Sequence, residues 1–429
     1  MPTQKIINTK PITDRFLIIK KFIIAALSAV SLTTLAQQPF TQQSITLNNA
    51  ISYTLQQHPE LKSFSHMQDA AMGLIEQAAI ASPIIINVGV EDVLGTGSYS
   101  GVAGMQTTLS ISWLLEGDII DSRVNAANQN ATVSMFEKEV KALDVAAQTA
   151  KIFITLLSQQ EQLVLAKLAR NHAKRLLREI ENRVAVGKVN IIDELRAKAD
   201  LSKKELTVED LHHEIGASKA QLAAQWQGDT DFTINGTLIG IPSIAQVEAA
   251  VEQLKSNPRL KVFASQQRIA ESEIELAKAN QNPAWSINTG IKRNEAVDDF
   301  SFIAGISIPF GGENSNRGQI IAWQAKKNQS IAESDAWFKR ISIQLLLLTH
   351  KLQHNLHVIA GLSSETIPLL EQASVKAAKA YSLGNYRYTD LYAIQQELVA
   401  TQIELIQAYT NIQLFNIELE RLTGSSISM

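Results

Sequence analysis

Two related stretches decide the fold: VAVGKVNIIDEL at residues 184–195 and YSLGNYRYTDLY at residues 381–392. In each one a glycine, Gly187 or Gly384, precedes an aspartate by six positions and interrupts a long helical pattern. Glycine supplies the positive φ that a tight reversal between packed helices needs. Asp193 and Asp390 then fall in the first turn of a returning helix, where a carboxylate can cap free amides. Both stretches therefore predict a helix, a tight turn and a second helix that an aspartate caps.

The segments that lead into these turns read as very long helices. Residues 119–182 contain no proline, and their apolar positions alternate spacings of four and three, as in a heptad seam. Residues 316–381 carry a similar stripe through Leu345 and Leu352. Seams of this kind require partner helices alongside, so the sequence predicts antiparallel coiled-coil hairpins.

Two hairpins of alternating strands precede the long helices, at about 84–115 and about 285–310. In MQTTLSISWLL, residues 105–115, apolar or neutral side chains alternate with polar ones, and FSFIAGISIPF at 300–310 repeats the pattern. Soluble β-sandwiches also alternate, but strands of nine to eleven residues behind an export signal favour an outer-membrane sheet. Four strands leave open edges in lipid, so the sequence predicts a β-barrel that other chains complete.

The order of these elements predicts an internal two-fold repeat. NAISYTLQQHPELKSF is echoed by AAVEQLKSNPRLKVF, and each half then has a hairpin, a long helix, a glycine turn and a return helix. We predict a first repeat at 37–228, a connector at 229–242 and a second repeat at 243–429.

The beginning of the chain reads as an export signal. Lys20 and Lys21 precede an apolar run that ends in Thr34-Leu35-Ala36, which predicts a signal peptide over 1–36; a retained short anchor helix is the alternative. The remaining chain has a net formal charge of −7, which argues against nucleic acid as a partner. It contains no cysteine, which excludes disulfides and thiolate sites.

Neither of the motifs that suggest catalysis is complete. GTGSYSGVAG at 95–104 is rich in glycine but lacks the spacing of a nucleotide-binding loop, and HHE at 212–214 lacks the second histidine of a zinc hydrolase. The sequence predicts no enzyme and no cofactor. Two other classes of protein compete with a channel as interpretations of this sequence: an envelope enzyme and a coiled-coil scaffold without a pore.

Taken together, the two hairpins, RVAVGKVNIIDEL, AYSLGNYRYTDLY and the ISIPFGG that closes the second hairpin resemble the TolC-type outer-membrane efflux family. The resemblance covers essentially the whole chain after the signal. The stretch from Asn257 to Arg293 looks most like the CzcC-like branch, which serves cation exporters. WLLEGDIIDSR at 113–123 departs from the ending expected after the first hairpin of that branch.

This resemblance implies an α+β membrane protein of the Gram-negative outer membrane with a large periplasmic portion. A homotrimer would form one twelve-stranded barrel in outer-membrane lipid, with four strands from each chain, and a long α-helical barrel in the periplasm. Such a duct receives cargo from an inner-membrane pump of the resistance-nodulation-division type through a periplasmic adaptor. Heavy-metal cations are the expected cargo, and organic drugs or a secreted solute are the alternative.

In such a duct the two glycine turns form the periplasmic tip. We expect the adaptor to dock on the residues of the turns: Gly187, Lys188, Asp193, Gly384, Asn385 and Asp390. Side chains that a turn does not need are gate candidates: Arg183, Tyr386, Arg387 and Tyr388.

Three histidines on the second long helix suggest a separate site. His350, His354 and His357 follow spacings of four and three on one stripe, turned away from the apolar seam. Three imidazoles on one helix face predict a weak site for a divalent cation. The alternative is that they are hydrogen-bonded between packed helices.

Overall fold

The structure, a computed structural model, describes residues 43–240, 247–281, 284–311 and 314–427. The predicted signal peptide over 1–36 lies outside these residues, as do the last two residues of the predicted connector. All described residues except Gln43 belong to one compact unit that begins at Ser44. Helices make up most of it, and no helix among the described residues is both long and apolar enough to cross a membrane.

The first part of the chain contains two short helices, a hairpin and two long helices. In order these are β1 (Gln43–Ile45), α1 (Leu47–Gln57), α2 (Pro59–Ala78), β2 (Ile85–Glu91), β3 (Gln106–Leu115), α3 (Gly117–Ala185) and α4 (Ile191–Ala224). The second part has β4 (Phe232–Ile234), α5 (Val247–Leu254), α6 (Pro258–Ala279), β5 (Trp285–Asn294), β6 (Asp299–Ser307), α7 (Arg317–Gly361), α8 (Ile367–Ser382) and α9 (Tyr388–Thr423).

Local signals account for the starts of several helices. Pro59 and Pro258 stand at the first helical position of α2 and α6, where the missing N–H is not needed. Asn257 caps α6 by accepting a hydrogen bond from the N–H of Arg259 at 2.8 Å.

The second long helix is interrupted, which corrects the prediction of one helix over 316–381. A π-helical turn, Leu362–Thr366, separates α7 from α8. Pro368 lies two residues after this turn. A proline inside a helix removes one hydrogen bond, and its ring clashes with the carbonyl four residues earlier. The wider π-helical turn accommodates that carbonyl, and the hydroxyls of Ser363 and Ser364 bond to the carbonyls of Ile359 and Ala360.

The connector is also more ordered than a plain linker. Its residues Phe232–Ile234 form β4, which pairs with β1 in a two-stranded sheet. Phe232 and Trp226 are buried in a core formed mainly with Phe153, Leu157 and other residues of α1, α3 and α4. The connector therefore contains a packed strand, because the large apolar side chain of Phe232 is buried in this core.

The four long strands form one antiparallel sheet in the order β2-β3-β5-β6. In the β2–β3 pair Val88 lies opposite Leu109, and in the β3–β5 pair Leu109 lies opposite Ile291. Opposite residues of antiparallel strands share a face, so the register gathers most of the apolar positions of the four strands on one side. That apolar face comprises Ile86, Val88, Val90, Leu109, Ile111, Trp113, Leu115, Trp285, Ile287, Ile291, Phe300, Phe302 and Ile306.

Three apolar cores hold the helices together. The first joins α1, α3, the end of α4 and β4. The second packs Leu345, Leu352 and Ile359 of α7 against α5 and against Ile412 of α9. The third lies beside the two glycine turns and contains Ile180, Ala197, Ala377, Tyr381, Tyr388 and Leu391.

Candidate functional site at the helix turns

The two glycine turns have the same hydrogen-bond pattern. Gly187 has φ 71° and Gly384 has φ 83°, both in the left-handed region. In the first turn the N–H of Lys188 donates to the carbonyl of Arg183 at 2.9 Å, and in the second the N–H of Asn385 donates to that of Ala380 at 3.0 Å. With the N–H of each glycine bonded to the carbonyl three residues earlier, both are Schellman motifs. The predicted need for glycine is met at both positions.

Asp193 and Asp390 lie in the first turns of the returning helices, as predicted, but neither of them provides a side-chain cap. The side chain of Asn190 caps α4 by accepting from the N–H of Ile192 at 2.9 Å, so the predicted cap by Asp193 is wrong. Asn190 lies directly before the helix in extended backbone, while Asp193 is already inside its first turn. Asp390 instead pairs with Arg387, whose Nε lies 3.0 Å from its Oδ2.

Arg183 fastens the two turns to each other within the chain. Its Nη1 donates to the carbonyl of Tyr381 at 3.0 Å and its Nη2 to that of Ser382 at 2.8 Å. The guanidinium also lies 4.6 Å from the centre of the Tyr381 ring and pairs with Glu179. These contacts are charge-assisted and partly buried, so they hold the C-terminal ends of α3 and α8 together.

Tyr388 is buried rather than displayed at the turn. Its ring packs at 6.5 Å from that of Tyr381 and at 5.9 Å from that of Tyr392. Burial raises the pKa of Tyr388 to about 12, and the nearby Asp200 carboxylate adds to the effect. Asp200 itself accepts hydrogen bonds from Tyr392 and Gln396, each at 3.2 Å.

The remaining predicted residues lie on the surface of the turns. Lys188, Asn385 and Arg387 are exposed, and Tyr386 is half-buried against the third core. The hydrogen bonds of Arg183 place the two turns, which carry the predicted docking residues, beside each other. Of the gate candidates, Arg183 and Tyr388 make their contacts inside one chain. Sequence reasoning missed Asn190, Tyr381, Asp200 and Tyr392, although the repeated tyrosines of residues 381–392 were a usable signal.

The three histidines of α7 are all exposed. Among the described residues, no group of three or more histidine, aspartate or glutamate side chains is arranged to hold a metal ion. A cation site that combines histidines of several chains stays a prediction.

Comparisons with known proteins find similarity to outer membrane efflux proteins. Residues 50–226 match a family described as outer membrane efflux protein. The cobalt-zinc-cadmium resistance protein CzcC of Cupriavidus metallidurans is 22% identical over 366 residues, which cover 84% of this chain and 86% of that protein.

Solved structures share the fold over nearly the whole chain. The outer-membrane channel OprN superposes with a TM-score of 0.73 at 15% sequence identity. The superposition covers 89% of this chain and 90% of the OprN chain. The outer membrane protein VceC of Vibrio cholerae superposes with a TM-score of 0.71 at 18% sequence identity. That superposition covers 89% of this chain and 97% of the VceC chain.

Proposed function

We propose that this chain, whose residues 50–226 match the outer membrane efflux protein family, is a member of that family and the exit duct of a tripartite efflux system that exports heavy-metal cations. The match to a family described as outer membrane efflux protein supports a transport channel rather than an enzyme, and we infer that it lies in the outer membrane of a Gram-negative cell with a large periplasmic part.

The observation that carries the proposal is the exposed apolar face of the four-stranded sheet. Val88, Phe302 and Ile306 on this face are 70%, 73% and 66% exposed in the single chain. A contiguous apolar surface of this size is unfavourable in water and favourable against lipid. The opposite face carries mostly Ser, Thr, Asn, Gln and charged side chains, as the lining of an aqueous pore would.

Two open edges of the sheet support the trimer. In the described sheet β2 and β6 each pair on one side, so each leaves a row of backbone N–H and C=O groups without a strand partner. Lipid cannot satisfy these groups, and pairing β6 of one chain with β2 of the next removes the edges. We infer three chains and twelve strands, with the two halves of each chain acting as repeats.

The helices would then form a periplasmic tunnel with the glycine turns at its tip. We propose that an adaptor docks on Gly187, Lys188, Asp193, Gly384, Asn385 and Asp390, and that an inner-membrane pump of the resistance-nodulation-division type supplies the cargo. Substitution of Gly187 or Gly384 is expected to abolish export and to leave the trimer intact. The cargo assignment rests on the likeness to CzcC.

Two experiments test this function. The protein without residues 1–36, purified in detergent, should be a trimer by light scattering and should conduct ions in a planar bilayer. A folded monomer that does not conduct contradicts the channel. A deletion strain screened against zinc, cobalt, cadmium and organic antibiotics tests the cargo separately, and sensitivity to antibiotics alone contradicts the assignment to cations.

A further inference from the structure

A cavity of about 300 Å³ lies where α3, the start of α6, α7 and the end of α9 meet. Three arginines line it, Arg259 of α6, Arg340 of α7 and Arg421 of α9, and we call it the arginine cavity. Asp144 of α3 is the one carboxylate in its described lining, so three arginines and one aspartate leave a net formal charge of +2. A cleft lined mainly by one sign of charge concentrates ions of the opposite sign.

Of these arginines, Arg421 is neutralised within the chain. Its Nη1 lies 2.8 Å from Oδ1 of Asp144, and its Nη2 lies 2.6 Å from Oε1 of Glu418. Arg259 and Arg340 form no side-chain ion pair or hydrogen bond with any residue that the structure describes. Both are exposed, so a ligand from solvent can reach them. Two unpaired guanidinium groups beside one cavity match the paired oxygens of a phosphate or a carboxylate.

The start of α6 adds to this positive potential. The N-terminal end of a helix carries a partial positive charge, which an acidic side chain in the first turn commonly offsets. The first turn of α6 contains no acidic residue, and Arg259 follows Pro258 as its second residue. The helix end and the guanidinium groups therefore act in the same direction, and both favour an anion.

The rest of the cavity wall is largely apolar. Leu143, Ile341, Leu422 and the indole of Trp337 contribute to it, and the Trp337 ring is supported by the ring of Phe263, with 6.4 Å between their centres. A volume of about 300 Å³ is at the lower end of the range for ligand pockets. An inorganic phosphate would leave this wall in contact with water. Cationic groups beside an apolar wall suit an organic anion better.

We propose that the arginine cavity binds a small organic dianion, whose phosphate or carboxylate groups pair with Arg259 and Arg340 and whose apolar part lies against Trp337. The same positive lining repels metal cations, so this ligand is distinct from the proposed cargo. The site goes beyond the proposed export function and does not depend on it, because all the residues that form it belong to one chain.

Titration calorimetry tests the site on the protein without residues 1–36 in a nonionic detergent near neutral pH. The probes are phenyl phosphate and phenylsuccinate, which distinguish a phosphate ligand from a carboxylate ligand. At least one of them should bind saturably to the wild type, whereas benzyl alcohol, which has the ring without the charge, should not. Arg259→Gln with Arg340→Gln should weaken binding by about tenfold or more, because it removes both unpaired guanidinium groups.

A matched control removes the same charge elsewhere. Arg178 and Arg196 are exposed and lie outside the arginine cavity, so Arg178→Gln with Arg196→Gln should bind the probe as the wild type does. Gln344 lines the cavity four residues after Arg340. Gln344→Glu keeps the arginines but places a competing carboxylate beside them, and it should also weaken binding by about tenfold.

Three results would each overturn the proposal: no saturable binding of either probe to the wild type, equal affinity in the wild type and the Arg259/Arg340 variant, or equal weakening by the Arg178/Arg196 control. The last of these would assign the attraction to the overall charge of the protein. Conductance of the same samples in a planar bilayer measures the channel separately. A conducting wild type that binds neither probe contradicts this site alone, and a wild type that binds a probe without conducting contradicts the channel alone.

Discussion

Among single residues, Arg183 has the most specific role at the turns. Its guanidinium donates to two carbonyls of the other turn, 198 and 199 residues away in sequence. We expect Arg183→Gln to raise the hydrogen–deuterium exchange rate of amides 381–388 by about tenfold, since charge-assisted hydrogen bonds contribute about 1.5–3 kcal/mol. The matched control is Arg387→Gln, because Arg387 is exposed and forms only a local ion pair with Asp390. Equal exchange in both variants contradicts the fastening role.

A second residue-level prediction concerns Glu418 and acid. Burial alone would raise the pKa of Glu418, but hydrogen bonds from Arg421 and Lys151 outweigh it and lower the pKa to about 2. A carboxylate with a lowered pKa stabilises the fold above its ordinary pKa and loses that effect as the pH falls towards 2.

The stability of the wild type should therefore decline between about pH 4.5 and pH 2. Glu418→Gln should be less stable at pH 7 by about 2 kcal/mol and should show a flatter decline. Denaturant unfolding of the two proteins across this pH range measures the difference. Parallel declines would mean that Glu418 is not the group that responds to acid.

At the scale of elements, the sheet makes the next prediction. Leu109 of β3 lies on the apolar face and Ser112 on the polar face. Leu109→Arg should reduce insertion into the outer membrane, because a charge on the lipid side costs about 2–4 kcal/mol near the bilayer centre. Ser112→Arg on the same strand should insert normally. Membrane fractionation with immunoblotting measures both, and equal insertion would exclude lipid as the neighbour of the apolar face.

For the whole molecule, the prediction concerns closure of the tip. In the proposed trimer the exposed Arg387 is available to neighbouring chains, whereas Tyr388 is packed inside its own. We expect Arg387→Ser with Tyr388→Phe to raise conductance in a planar bilayer and to admit bulky antibiotics. Tyr388→Phe alone keeps the buried ring and should conduct much as the wild type does. Wild-type conductance in the double variant would mean that the tip is closed by other residues.

Several features of the fold followed from local sequence signals. Glycine at 187 and 384 predicted both reversals, because few other residues adopt a positive φ cheaply. Alternation in β3 and β6 predicted strands with one apolar face, because successive side chains of a strand point to opposite sides. The interruption of α7 was also available in principle, since Pro368 stands in the sequence.

The tertiary structure decided what depends on residues far apart in the chain. The pairing of β3 with β5 and the reach of Arg183 to the second turn join segments about 170–200 residues apart. Tyr388 is likewise buried in a core that contains Ile180 and Ala197 of the first half. Sequence spacing predicts which face of a helix a residue occupies, but not which helix covers that face. By itself the sequence determined the helices, the reversals and the amphipathic strands of this protein; only packing decided which side chains hold the turns together and which faces remain open to a neighbouring chain.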